Sequence, residues 1–238
     1  MKVVAVIPAR YESSRFPGKP LADIAGKSMI RRIYEQVRSC PDVDDVFIAT
    51  DDERIREAAL LFNAKVVMTG RECRSGTDRV AEAAKGLDAE AVINVQGDQI
   101  VLDRKAVSEI AKELRKGSAM VTVATPASEH EYQDPNCVKV VLNREGYALY
   151  FSRSLIPYPR VESGYIPLKH IGIYGFNMET IRRFTLLEPT IFEMTESLEQ
   201  LRALENGIPI KVVIATGEYL EINTPEDRER ILAAWREY

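Results

Sequence analysis

Three cations lie within ten residues of one another near the N-terminus: Arg10, Arg15 and Lys19, in the turn-forming run PARYESSRFPGKP from Pro8 to Pro20. A guanidinium forks two hydrogen bonds onto phosphate oxygens, and an ammonium acts as a compact point charge. Cations crowded in one loop repel unless an anion lies among them, so a triphosphate suits this segment better than solvent, and Ser13 and Ser14 add hydroxyls. The run lacks the glycines of the dinucleotide fingerprint and the G-K-[ST] ending of a Walker A loop, which disfavours a nicotinamide dehydrogenase or a P-loop ATPase. Asp98 follows the apolar run AVINV and the pair Gln96 and Gly97, which places a carboxylate at a strand end. Magnesium typically uses one or two such carboxylates with substrate phosphates and water. In SGTDR, residues 75 to 79, Ser75, Gly76 and Thr77 could present backbone groups to a base edge, or Thr77 and Asp78 could simply open a helix.

The elements that must position these groups alternate. Strands are predicted at Lys2 to Ile7, Asp45 to Thr50, Lys65 to Met68 and Ala91 to Val95, and helices at Met29 to Val37, Asp52 to Phe62, Thr77 to Lys85 and Lys105 to Lys116. That order predicts an α/β fold, a mostly parallel sheet with helices on both faces, and ligands bind outside the carboxyl ends of such strands. After about Met120 the strands Val121 to Ala124, Val138 to Leu142 and Ala148 to Phe151 leave no room for crossover helices, so antiparallel hairpins are expected. A loop at Pro157 to Pro167 leads to a strand at His170 to Phe176. Helices at Thr180 to Phe184, Thr195 to Asn206 and Pro225 to Arg236, with a strand at Ile210 to Ala215, complete one domain over 1–238.

The chain has 238 residues, 45% of them hydrophobic, and a formal net charge of -4. Such a balance makes it a poor wrapper of nucleic acid. Between Met1 and Arg38, however, eight Lys or Arg face three Asp or Glu, a local excess of +5. Cys40, Cys73 and Cys137 form no C-x-x-C pair and are expected to be reduced, and His130 and His170 lie far from them in sequence, so a zinc site has little support. With no signal peptide and no run of 18 apolar residues, a cytoplasmic protein without membrane contact is expected.

PARYESSRFPGKPL at 8 to 21 resembles the nucleotide loop of the sugar nucleotidyltransferases, most closely the 3-deoxy-manno-octulosonate (Kdo) cytidylyltransferases. The resemblance continues in SGTDR, in NVQGD at 94 to 98, in VKVVLNREGYALYFSRS at 138 to 154, in KHIGIYGF at 169 to 176 and in ESLEQLR at 196 to 202. It implies a three-layer Rossmann-like fold whose β-rich elaboration, about 120 to 176, forms a homodimer. It also implies the reaction of CTP with Kdo to give CMP-Kdo and pyrophosphate, for lipopolysaccharide biosynthesis, with Mg2+ as cofactor. Under this resemblance Arg10, Lys19 and Asp98 are catalytic. Arg10, Ser14, Arg15, Lys19, Arg74, Ser75, Gly76 and Gln96 bind the nucleotide, and Arg79, Arg153, His170, Tyr174, Glu196, Glu199 and Gln200 bind the sugar acid. Read without the resemblance, His170 is a satisfied structural histidine and the 196 to 200 carboxylates a solvated helix face.

The chain departs from the family pattern twice. QGDQI stands where the family reads QGDEP, and EINTPED, from Glu221 to Asp227, stands where it reads GVDTPED. Asn223 thus occupies the place of a second metal-binding Asp, and Glu221, two residues away in an extended segment, points to the same side and is expected to supply the lost charge. Two other outcomes fit these changes: selectivity moved to a related acidic sugar such as 8-amino-Kdo, or a nucleotide-binding homologue that lost turnover. Retention of Arg10, Lys19, Asp98, Arg153 and His170 favours catalysis, while a hydrolase reading lacks a G-x-S-x-G elbow.

Overall fold

A strand buried on both faces reads as a continuous apolar run, and the first strand, β1 (Val3–Ala9), is buried at every position. The computed structural model describes residues 1–13 and 15–235. Val3, Ala5 and Ile7 of β1 enter one hydrophobic cluster while Val4 and Val6 enter another, so each sheet face has its own helical cover. The chain continues through β2 (Asp23–Ile24), β3 (Lys27–Ser28), α1 (Met29–Arg38), β4 (Asp45–Thr50), α2 (Glu53–Leu60), β5 (Lys65–Met68) and α3 (Gly76–Ala84). Next come β6 (Ala91–Asn94), β7 (Gln99–Val101), α4 (Arg104–Arg115), β8 (Met120–Pro126), β9 (Lys139–Leu142), β10 (Ala148–Ser152) and β11 (Leu168–Asn177). The last elements are α5 (Met178–Phe184), α6 (Ile191–Glu196), α7 (Gln200–Glu205), β12 (Ile210–Ile214), β13 (Leu220–Glu221) and α8 (Pro225–Ala233).

Strands β5, β4, β1 and β6 lie side by side and parallel. Beyond β6 lies β11, antiparallel to it, followed by β8 and then β12, which runs parallel to β8. The hairpin of β9 and β10 joins the first residues of β11. Helices α1, α2, α4 and α8 contribute to the cluster on one face, and α3, α5 and α7 to the other, which is the expected three-layer arrangement. From β1 the chain winds outward through β4 and β5, then returns to the opposite side of β1 as β6. The carboxyl ends of β1 and β6 therefore flank a switch point, where a crevice opens in sheets of this kind.

One expectation needs correction. The single helix from Thr195 to Asn206 is two helices, α6 and α7, separated by Ser197 in the left-handed region at φ 52°. The Glu196 carboxylate accepts from Ser152 Oγ at 2.7 Å and from the Arg153 amide at 2.9 Å, and its carbonyl accepts from Arg153 Nε at 2.6 Å. These contacts turn the chain away from the helical ladder, so Glu196 and Gln200 do not share a helix face. The short antiparallel ribbon of β7 and β13, a pairing outside the expectations from sequence, sets Gln99 opposite Glu221, whose segment is extended as expected. Helix α8 ends at Ala233, and Arg236, the expected end, lies outside the described residues.

Candidate active site

The loop after β1 is shaped by Gly18. Its amide donates to the Tyr11 carbonyl at 2.9 Å, closing the loop, and its φ of 72° is a left-handed value that glycine adopts without a side-chain clash. The 3-10 turn Lys19–Leu21 begins at once and carries Lys19 inward. Lys19 Nζ donates to Asp98 Oδ2 at 3.3 Å and to the Ile222 carbonyl at 3.1 Å, while the Ile222 amide donates to the Asp98 carbonyl at 3.0 Å. One ammonium thereby joins the segments after β1, β6 and β13.

Around this junction lies a cavity of about 240 Å³. Its walls are Arg10, Ser13, Arg15 and Lys19 from the first loop, Arg74, Ser75, Gly76 and Arg79 at the start of α3, Gln96, Gly97 and Asp98 after β6, and Asn223 ahead of α8. Ser14 lies outside the described residues. Arg10 and Arg15 are exposed at the opening. A Cβ on Gly97 would sit 2.6 Å from the Pro8 carbonyl oxygen, so only glycine lets the two loops come this close. Helix α3 is opened by a capping box in which Ser75 Oγ accepts from the Asp78 amide at 3.1 Å and Asp78 accepts from the Ser75 amide at 3.2 Å. Asp78 is thus a helix cap rather than a ligand group, while Gly76 stays at the cavity wall beside Gln96.

Arg79, expected on the sugar side, lines the cavity that holds Lys19 and Asp98. It is 4% exposed, ion-paired with Asp51 at 3.2 Å and donating to Thr69 Oγ1 at 2.6 Å. An adjoining cavity of about 230 Å³ is lined by Arg10, Tyr11, Asp51, Asp52, Arg54 and Arg71 among others. Arg54 and Arg71 fall outside the sequence motifs; the one available signal was the position of Arg71 three residues before Arg74. The thiol of Cys73, which lines both cavities, donates to Glu82 at 3.0 Å, and burial together with that carboxylate pushes its pKa up to about 12. It is a wall and not a nucleophile.

The sugar-acid candidates separate into two groups. In the first, Glu199 Oε2 accepts from Thr77 Oγ1 at 2.6 Å, and Ser75 adds a second hydrogen bond. Burial raises the Glu199 carboxyl above its ordinary value, and these two bonds and Arg202 oppose the rise. Tyr174 is buried within electrostatic reach of Glu199. Gln200 is 4% exposed and its Nε2 has no partner, leaving a buried donor for a ligand to satisfy. His170 packs its ring against Phe151 and Tyr174, with centroids 5.0 and 5.4 Å away. Thr122 Oγ1 donates to the Ile173 carbonyl at 2.8 Å, so its 2.9 Å contact with His170 Nε2 makes that nitrogen the donor and leaves Nδ1 as an acceptor. In the second group, Arg153 spends its guanidinium on the carbonyls of Pro135, Glu196 and Ser197, and Glu196 holds Ser152 and Arg153. This second pair braces α6 rather than joining Glu199.

Residues 4–214 match the family model described as cytidylyltransferase. The 3-deoxy-manno-octulosonate cytidylyltransferase of Nitratidesulfovibrio vulgaris (strain DP4) is 47% identical, with 98% of this chain and 95% of the relative covered. That of Geobacter sulfurreducens is 42% identical over 98% of each. The chain belongs to the 3-deoxy-manno-octulosonate cytidylyltransferase family. A solved structure of CMP:2-keto-3-deoxy-manno-octonic acid synthetase complexed with CTP matches the fold with a TM-score of 0.93 and 41% identity, covering 98% of each chain. The nucleotidyltransferase fold implied by the motifs is therefore the fold of this family member.

The departures of this family member gather around Asp98. Glu221 Oε1 accepts from Gln99 Nε2 at 3.4 Å, and the Asn223 side chain also hydrogen-bonds Glu221, which leaves the Asn223 amide oxygen as an available acceptor. The expectation that Glu221 and Asn223 point to one side thus holds. Although solvent reaches Glu221, its crowded surroundings and then the charge of Asp98 raise its carboxyl above the ordinary value. Two mutually repelling carboxylates and an amide oxygen fit a hard divalent cation. No group of three or more His, Cys, Asp or Glu that could hold a metal ion gathers among the described residues.

The packing around His170 also sets a pH dependence. Loss of water around the ring pushes its pKa from 6.5 down to about 3. The unfolded chain takes up a proton below about 6.5 that the folded chain refuses until about 3, so this contribution to stability is complete above the first value and lost progressively toward the second. Urea unfolding across pH 7 to 4.5 should show falling stability. The His170→Gln variant, which keeps a hydrogen-bonding group but cannot titrate, is expected to flatten that fall, and an unchanged slope would contradict the assignment.

Proposed function

We propose that this protein is a Kdo cytidylyltransferase that transfers the CMP group of CTP to the anomeric hydroxyl of Kdo. The hydroxyl oxygen bonds the α-phosphorus, the bond to the bridging oxygen breaks, and pyrophosphate leaves as the hydroxyl proton is lost. The observation that carries this reading is the single cavity gathering Arg10, Arg15, Lys19, Arg74, Ser75, Gly76, Gln96 and Asp98 at the switch point. Arg10, Arg15 and Lys19 hold the triphosphate and meet the charge that grows on the leaving pyrophosphate. Arg74, Ser75, Gly76 and Gln96 hold the base and sugar of the nucleotide. Glu199, Gln200, Tyr174 and His170 Nδ1 supply the hydrogen bonds that orient a polyhydroxylated acid. Magnesium, held by Asp98 with oxygen from Glu221 and Asn223, would neutralise phosphate charge.

The altered residues Gln99, Glu221 and Asn223 cluster with Asp98, not with Glu199 or His170, which favours Kdo over a changed sugar. Incubation with CTP, magnesium and Kdo is expected to release pyrophosphate and form CMP-Kdo. The Lys19→Met variant should lose activity on the order of 10²-fold. Tight CTP binding with no pyrophosphate release would support a binding protein instead.

Glu221 has its own test. In the Glu221→Ala protein the magnesium concentration for half-maximal activity should rise several-fold, and an unchanged requirement would remove Glu221 from the metal site.

The same reading makes the protein a homodimer that acts in the cytoplasm, in lipopolysaccharide biosynthesis. No helix among the described residues is long and apolar enough to cross a membrane. An apolar hollow of about 460 Å³ is lined by Val141, Leu142, Leu149, Tyr150, Ile156, Pro157, Tyr165 and Leu168, with Leu149 61% exposed. Such a surface suits a second copy of the chain. Light scattering should give a dimer mass, reduced to that of a monomer by Leu149→Lys; a monomer without substitution would contradict the dimer.

A further inference from the structure

Asn94 is a fully buried amide at the end of β6, paired in register with Tyr174 of β11 and with Val6 of β1. A polar side chain in so apolar a place is costly unless both ends of its amide are bonded. Its Oδ1 accepts from Gln96 Nε2 at 3.3 Å, and its Nδ2 donates to Thr77 Oγ1 at 3.4 Å. Thr77, 1% exposed, has one hydroxyl proton, and donates it to Glu199 Oε2 at 2.6 Å. The directions are therefore linked. Because Asn94 donates to Thr77, the threonine proton remains for Glu199.

One end of this chain, Gln96, lines the nucleotide cavity; the other, Glu199, lies among the groups assigned above to the sugar acid. We propose that Asn94 and Thr77 are positioning residues that couple the two subsites, so that a nucleotide holding Gln96 fixes the Glu199 carboxylate in place for the acceptor sugar. The inference rests on the assignment of Glu199 to the sugar side. Neither Asn94 nor Thr77 touches the reacting atoms in this scheme. Each sets the direction of a hydrogen bond made by another residue.

Asn94→Asp supplies an acceptor where the amide donates, and so draws the Thr77 proton away from Glu199. Thr77→Val removes that proton, and Thr77→Ser keeps it. The Kdo KM is expected to rise about tenfold in Asn94→Asp and in Thr77→Val, a size usual for coupling between sites. The CTP dissociation constant, measured without sugar, should stay within about twofold, and Thr77→Ser should restore the Kdo KM. The double variant should be no worse than the worse single one, because both changes break the same link. Equal losses in CTP binding and Kdo KM would indicate a merely structural role and overturn the proposal, as would an ordinary Kdo KM in Thr77→Val. If Asn94→Asp fails to fold, the two Thr77 variants decide alone. Turnover of Kdo by the unsubstituted protein with no change in Thr77→Val overturns the link only, whereas no turnover by the unsubstituted protein overturns the functional reading and the link with it.

Discussion

The contact of Lys19 with Asp98 is the constraint on which the cleft depends. Its 3.3 Å separation joins a loop that follows β1 to one that follows β6, and the same ammonium holds the Ile222 carbonyl near the C-terminus. Lys19 is only 15% exposed at its side chain and Asp98 30%, so the pair is partly withdrawn from water and less screened than a surface pair. A phosphate approaching Lys19 competes with a carboxylate already in place. The carboxylate of the pair also offsets part of the positive charge that Arg10, Arg15 and Arg74 place on the same cavity wall.

The parts legible in the sequence were those whose chemistry is local. The alternation of short β-rich runs with amphipathic stretches follows from periodicity, and β4 and β5 fall at the predicted residues. The cations of the first loop were legible because they are crowded in sequence as well as in space. The break at Ser197 was not, because it is imposed by Ser152 and Arg153, more than forty residues away. The place of Arg79 on the wall of the first loop's cavity was not legible for a similar reason. Its partner Asp51 comes from the end of another strand, and no local spacing records that meeting.

The two sheet faces divide the labour unequally. The face covered by α1, α2 and α4 is almost wholly apolar, while the face under α3 and α7 admits Asn94, Thr77, Thr122, His170 and Glu199 among its hydrophobic residues. Buried polar groups are tolerated when each has a partner, and here the donors and acceptors satisfy one another along β6, β8 and β11. Beside them the buried Gln200 Nε2 is a donor with no partner. The first face supplies most of the cohesion, and the second supplies a preorganised polar lining at the cost of a less uniform core.

The ribbon of β7 and β13 gives the departures from the family pattern a geometric meaning. Gln99 and Glu221 are 122 residues apart in the chain yet face each other across two strands, and their side chains touch. The family pattern has an acid at the first position and glycine at the second, whereas here the acid stands at the second. The carboxylate that stands beside Asp98 in this chain is therefore carried by β13, with the Gln99 amide against it. Across positions 99, 221 and 223 the family pattern carries two acids and this chain carries one, so Glu221 restores one of two lost charges beside Asp98.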